Sequence, residues 1–464
     1  MTAASAAPTG TAPASPRPAV DPRTRQLLQA PIVPLLLGMA WPNVLIMVAQ
    51  ASTGLIETWW IARLGTDALA GMALVFPAVM LMQMISGGAM GGGISSAVAR
   101  ALGAGRRDEA DTLVLHALLI NAVLGLGFSA IFLVFGEPIY RLLGGDGAAL
   151  QAALSYSNIV FAGNVLLWIM NALASVLRGT GNMLVPALVT CIGVVLLIPL
   201  SPLLIFGYGP LPALGIAGGG VALVIFYAGG VAALAWYVLS GRSTIRLRRV
   251  PLRWLSSQGI LRVGAISSLN SIQTNLVIAG ATALVAASAG VAGVAGFGTG
   301  ARIEYLLIPL VFGVGAPLVA LVGANVGAGH QARALRIALT GGALAFAATE
   351  TIGVAVAIWP QHWLLLFSDD PGMVAAGSAY LRIVGPCFGF FGLGMALYFA
   401  SQGAGRLFWP LAAGVLRLAI GLGGGWLALR LGAPIQALFV ALGIALVAFG
   451  MTLFVAVRSG AWFR

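Results

Sequence analysis

Asn43, Gln50 and Glu57 stand seven residues apart in the first long apolar stretch of the chain, with Thr53 between the last two. Seven residues are close to two turns of an α-helix, so the three side chains share one face. A polar stripe does not face lipid, so this one must face the interior of a bundle. Glu57 lies toward the outer end of its helix, where a carboxyl group can take up a proton or bind a cation from outside. The alternative is an interfacial glutamate that touches water beside Arg63. A second stripe, Ser157, Asn164 and Asn171, repeats the seven-residue step with Tyr156 beside it. Interhelical hydrogen bonding alone would account for that one. A later stretch carries Ser267, Asn270, Ser271, Thr274 and Asn275, and two more acids, Glu304 and Glu350, sit in apolar surroundings. Each acid could pair with a base, bind a cationic substrate or relay a proton. Arg302 stands two residues before Glu304, a spacing that does not put both on one helix face.

The elements that must position these groups follow from composition. Of 464 residues, 60% are hydrophobic and only 8% are charged, so water cannot be the solvent for most of the surface. A bilayer core needs about 20 apolar residues per helix, and about twelve such stretches lie between residues 34 and 458. The expected fold is an all-α membrane protein of about twelve transmembrane helices. Twenty-four basic residues, all arginine, give a net charge of +12. They fall in alternate loops, which is the pattern of membrane orientation rather than of nucleic-acid binding. Placing the arginine-rich loops inside puts both termini in the cytoplasm. Residues 1–30, rich in Ala, Pro, Thr and Ser without an apolar core, read as a disordered cytoplasmic tail and not a signal peptide. Residues 459–464 form the cytoplasmic C-terminus.

The chain also repeats itself. Gly103-Ala104-Gly105 recurs as Gly327-Ala328-Gly329, Tyr156 as Tyr380, Arg178-Gly179-Thr180-Gly181 as Gln402-Gly403-Ala404-Gly405, and Pro186 as Pro410, all offset by 224 residues. Near the start of each copy the offset is 225, as in Ala70-Gly71 and Ala295-Gly296. Two six-helix bundles in the same orientation, residues 31–240 and 257–458, would be related by a pseudo-two-fold axis along the membrane normal and meet in a central cleft. An arginine-rich cytoplasmic linker, 241–256, joins them. In this register Asn43, Gln50 and Glu57 correspond to Ser268, Asn275 and Thr282, so the second copy lacks the acid.

The run Phe388, Phe390, Phe391, Met395, Tyr398 and Phe399 suits either ordinary packing or an adaptable apolar cleft. Pro42 inside the first helix favours a kink. Gly87 to Gly93 contains overlapping small-xxx-small pairs that permit close helix contact. No Walker-A loop, HExxH motif or GxSxG elbow is present, so an enzyme is not expected. Cys191 and Cys387 lie in apolar runs, and the three histidines are scattered. No metal site or cofactor is expected.

Ile56-Glu57-Thr58 through Leu64-Gly65, Arg178-Gly179-Thr180-Gly181-Asn182 to Pro186, and Gly323-Ala324-Asn325-Val326-Gly327-Ala328-Gly329 resemble motifs of the multidrug and toxic compound extrusion family, in its DinF-like bacterial branch. The resemblance covers roughly residues 30 to 458. It implies a multi-pass, inner-membrane antiporter that works as a monomer among membrane lipids. Such a protein expels amphipathic or cationic small molecules in exchange for H⁺ or Na⁺, with no nucleic-acid partner. By the same resemblance Glu57, Gln50, Tyr156 and Asn171 form the coupling-ion site, and Pro42 is the helix-1 kink. Asn43, Asn275, Glu304, Glu350, Met395 and Phe399 are candidates for the substrate cleft. The family often has Asp at the position of Glu57, and Asn-x-x-Leu-Asp-Pro where this chain has Leu197-Ile198-Pro199-Leu200-Ser201-Pro202. With one acid instead of two, H⁺ is favoured over Na⁺, a hard cation that wants several oxygen ligands. The alternative function is a flippase of lipid-linked precursors in the same wider superfamily.

Overall fold

A computed structural model describes residues 21–209, 212–248 and 254–463. Those residues are almost entirely helical. A short helix, α1 (Pro22–Gln29), precedes α2 (Ile32–Ala62), α3 (Thr66–Gly103), α4 (Arg107–Leu142), α5 (Gly147–Ala162), α6 (Asn164–Gly179), α7 (Leu184–Phe206) and α8 (Ile216–Leu239). The second half holds α9 (Trp254–Gly327), α10 (Gln331–Ile358), α11 (Pro371–Ala404), α12 (Phe408–Arg430) and α13 (Ile435–Arg458). Among the described residues, ten helices are long and apolar enough to cross a membrane, and eleven spans result when α5 and α6, bent by 47°, count as one. The 71-residue stretch Ser257–Gly327 contains two spans, because Gly290 breaks it at φ 63° and ψ −162°. That left-handed backbone is open to glycine without a Cβ penalty. The twelve expected spans are therefore present.

The bend between α5 and α6 has a packing cause. A Cβ at Gly163 would lie 2.4 Å from Val224 Cγ2, so α8 presses directly on the bare backbone of the corner. In α3 the glycine-rich run Met84–Met90 forms a π-turn, and in α12 Ala419–Gly424 does the same. α2 continues through Pro42 as one helical stretch of 31 residues.

The core divides in two. One cluster of buried side chains, from Ile61 to Val238, belongs to the first six spans, with Ile245 of the linker and Ile260 of α9 packed into it. Two others, around Leu318 with Leu397 and around Phe297 with Phe439, belong to the second six. The boundary is crossed by α2, whose first turns contribute Leu36 and Met39 to the second lobe while Ile61 packs in the first.

Residues 21–30 depart from the disordered tail expected of them; residues 1–20 of that tail lie outside the described residues. Asp21 caps α1 by accepting from the backbone N–H groups of Arg23 and Thr24, and Pro22 starts the helix with its φ already set. Leu27 is buried, Asn325 donates to its carbonyl at 3.1 Å, and Arg333 donates to the carbonyl of Ala30. Average composition conceals two helical turns with a cap and a buried leucine. The linker is also anchored. Arg246 N–H donates to Asp111 at 2.7 Å, and Arg248 pairs with Asp108 at 2.9 Å. Residues 249–253 of the linker lie outside the described residues, and α9 starts at Trp254 rather than at 257.

Candidate functional site

Glu57 points into the first lobe and is 3% exposed. Its Oε2 accepts a hydrogen bond from the Tyr156 hydroxyl at 3.2 Å. Its Oε1 is buried with no partner among the described residues. α8 closes over the pair: a Cβ at Gly219 would sit 3.5 Å from Ile61 Cδ1 and 3.7 Å from Tyr156 Cε2. The charge state of such a carboxyl group has structural consequences. An uncompensated buried carboxylate is expensive, and one phenol is a single donor for two oxygens. A proton or a small cation on the free oxygen would remove the imbalance. The interfacial alternative, a glutamate wetted beside Arg63, is not what the structure contains. Arg63 instead lies over the Trp59 ring, 3.8 Å from its centroid.

Asn43 and Gln50 share this face of α2. Asn43 is fully buried and donates to the carbonyl of Phe312 at 3.0 Å, across the boundary between lobes. Gln50 is exposed, although Asn43 and Glu57 on the same face are buried. Asn275, exposed on the second lobe, lies with Nδ2 4.0 Å from Met84 Sδ on α3 of the first.

Other candidates disperse. Asn171 donates to Ser86 on the π-turn at 3.0 Å and makes no bond to Glu57 or Tyr156. The bend at Gly163 separates it from Tyr156. Glu350 accepts from the backbone N–H of Gly389 at 2.7 Å, inside the second lobe rather than in the cleft. It supplies an acceptor where α11 restarts after the Gly385–Cys387 turn. Phe399 lies at the base of the cleft, edge-on to Phe312 with centroids 5.2 Å apart. Met395 is half-buried between the two second-lobe cores. Phe388 and Phe391 are buried, so packing accounts for them.

Glu304 has a partner that sequence reasoning missed. Arg417 donates to it at 2.7 Å, and the two side chains are only 12% and 6% exposed. Tyr380 and both members of the pair line a narrow recess in the second lobe, about 20 Å³. An arginine inside an apolar helix was the available signal, because a buried guanidinium requires a counter-charge. Arg302, two residues from Glu304, is turned away toward Phe367. Arg417→Leu alone is expected to cost about 3–5 kcal/mol of stability by stranding Glu304. Adding Glu304→Met should recover most of that, as thermal unfolding in detergent would show. Equal stability of the single variant and the wild type would mean that the pair carries no such weight.

The lobes meet at the end bearing Arg100, Arg333 and Arg406. Ser96 Oγ donates to the carbonyl of Gln402 at 2.6 Å, and Arg100 Nη1 donates to that of Gly403 at 2.9 Å. Gln402 Nε2 donates to Ser267 Oγ at 2.9 Å. Bare backbones touch there. A Cβ at Gly103 would lie 2.0 Å from the carbonyl oxygen of Ala324, and one at Gly93 2.8 Å from that of Ile260. Among the described residues, no hydrogen bond crosses between lobes at the Glu57 end. The lobes are closed against each other at the arginine-rich end.

Two parallel bundles meeting around a cleft closed at one face are the architecture of a membrane transporter. The MatE family model matches residues 42–203 and 267–427, one copy in each lobe. An FAD transporter of Shewanella oneidensis is 30% identical over 380 residues, which cover 81% of this chain and 82% of that protein. A probable multidrug resistance protein NorM of Thermotoga maritima is 26% identical over 380 residues, 81% of each chain. A crystal structure of MATE in the bent conformation aligns with a TM-score of 0.87 at 22% identity, over 95% of this chain and 98% of that one. The chain belongs to the multidrug and toxic compound extrusion (MATE) family of multi-pass membrane transporters for small molecules.

Proposed function

We propose that the protein is a secondary antiporter of the bacterial inner membrane, with both termini cytoplasmic, exporting amphipathic or cationic small molecules in exchange for protons. The observation that carries this reading is Glu57, buried in the first lobe with one oxygen on Tyr156 and the other without a partner among the described residues. Loading and unloading that carboxyl group changes the electrostatic cost of packing α2 against α8. A ligand biases two states only through such a difference in affinity. Protons are favoured over Na⁺ because Leu197 and Ser201 stand where the family often has Asn and Asp, which leaves the pocket one acid instead of two.

Reconstitution tests the proposal. Export of several dyes from proteoliposomes is expected under an imposed pH gradient and not under a Na⁺ gradient alone; the reverse result would reassign the ion. Flipping of a lipid-linked sugar with no dye export would select the flippase alternative. Tyr156→Phe removes a single hydrogen bond and is expected to slow gradient-driven export by about 2- to 10-fold without abolishing it. An unchanged rate would remove the phenol from the mechanism. A second reading, an anionic nucleotide-like substrate, is favoured by the identity to the FAD transporter and by an arginine at the floor of the cleft.

A further inference from the structure

Arg178 belongs by sequence to a loop between spans, yet its side chain is buried, 7% exposed, at the end of α6. Its Nη2 donates to Ser175 Oγ at 2.7 Å. No ion pair among the described residues includes it, whereas Arg417, buried to a similar degree, has Glu304. A buried guanidinium without a carboxylate is an uncompensated cation.

The group lines a small half-open recess at the junction of the lobes, whose enclosed part, about 10 Å³, has room for about one water molecule. The recess is built by both lobes: Arg178, Ser95 and Gly88 from the first, Gln402, Phe312 and Phe399 from the second. Its lining is arranged in repeat-related pairs. Arg178 and Gln402 are equivalent at the offset of 224, as are Gly87 and Phe312, or Gly91 and Ala316, at 225. The recess therefore lies on the pseudo-two-fold axis, where one copy has kept a cation and the other a neutral amide. Gln402 Oε1 is buried without a partner, and no acid lines the recess. A Cβ at Gly88 would meet nothing within 4 Å, so the backbone is bare on that side.

The geometry points to an axial anion seat, in which Arg178 holds a phosphate-type group at the open side of this recess between the lobes. The group is either free phosphate or the anionic end of a transported amphipathic molecule. Phe312 and Phe399 would lie against the apolar part of such a molecule. Both lobes form the seat, so it exists only while the floor is closed, and an occupant stabilises that state. The inference rests on reading the cleft as the substrate path, but not on Glu57 as the coupling acid.

Riboflavin and flavin mononucleotide differ by one phosphate and serve as probes beside orthophosphate. Thermal unfolding and binding are measured on the purified full chain for wild type, Arg178→Gln and Arg178→Lys. Gln is the residue the second repeat carries at this position. The mononucleotide is expected to bind wild type about tenfold or more tighter than Arg178→Gln, with Arg178→Lys between. Riboflavin should not distinguish the three. Tight mononucleotide binding with weak orthophosphate binding assigns the seat to a substrate, and comparable binding of both assigns it to the free anion. Arg178→Gln binding both phosphates as wild type does would overturn the seat. So would wild type binding neither. Glu57→Gln should keep the anion affinity while losing gradient-driven transport, which separates this inference from the coupling proposal. If Arg178→Gln does not fold, Arg178→Lys and wild type suffice: a guanidinium seat predicts weaker binding by the lysine, and equal affinity sinks it.

Discussion

Glu57→Gln is expected to make export indifferent to an imposed pH gradient, lowering the gradient-driven rate by about a hundredfold, the upper range of coupling between linked sites. Glutamine preserves the shape and can still accept the Tyr156 hydrogen bond through its carbonyl oxygen. What it cannot do is gain or lose a proton. The lobe should therefore fold, since the packing around Ile61, Tyr156 and Gly219 is unaltered. Dye efflux from proteoliposomes with and without a pH gradient is the measurement, and binding of the same dyes is the control. Intact binding with gradient-independent movement would identify Glu57 as the coupling group. Full gradient-driven export by Glu57→Gln would leave the buried carboxyl without a role in energy conversion.

The second large effect concerns the closed floor. Gly103→Ala and Gly327→Ala each place a Cβ against backbone, 2.0 Å from the Ala324 carbonyl oxygen and 2.1 Å from that of Arg100. Backbone cannot step aside as a flexible side chain can, so the lobes must part. Both substitutions favour the helix itself by up to about 1 kcal/mol, which makes loss of helix an implausible cause of any defect. Transport is expected to fall by about tenfold or more, because a state opposed by even 1.4 kcal/mol is depleted tenfold. Spin labels at the exposed positions Asp108 and Gln331, with Cys191 and Cys387 replaced, would report the separation of the lobes at this end. The label distance should lengthen in either alanine variant while thermal stability stays near wild type. Unchanged distances and rates would show that the floor closes by some other contact.

These two predictions rest on different kinds of information. Glu57 could be singled out from sequence, because an acid in a run of apolar residues is expensive at any place a membrane helix can put it. Its bond to Tyr156 could be anticipated only through resemblance. Nothing in the spacing of residues 57 and 156 says that α5 meets α2 there. The glycines of the floor were visible as small-residue clusters. What they touch was not, because a missing side chain carries no record of its neighbour. Asn171 differs: the resemblance placed it with Tyr156, whereas beyond the corner at Gly163 it makes the interhelical hydrogen bond, to Ser86, that the stripe alone allowed. Glu304 and Glu350 looked alike in sequence, yet one is half of a buried ion pair and the other accepts from a backbone N–H.

The sequence by itself determined the solvent, the number of spans, the two-fold repeat and the presence of one unmatched acid in the first lobe. Each of these is a property of local composition or of self-similarity, and hydrocarbon penalises polar groups strongly enough to make that composition decisive. Which polar groups meet, which lobe end is shut, and that Arg178 lies buried at the junction of the lobes were decided only by tertiary structure. Helices in a bilayer associate through close packing of small residues and individual hydrogen bonds, contacts between distant parts of the chain whose geometry no single stretch encodes.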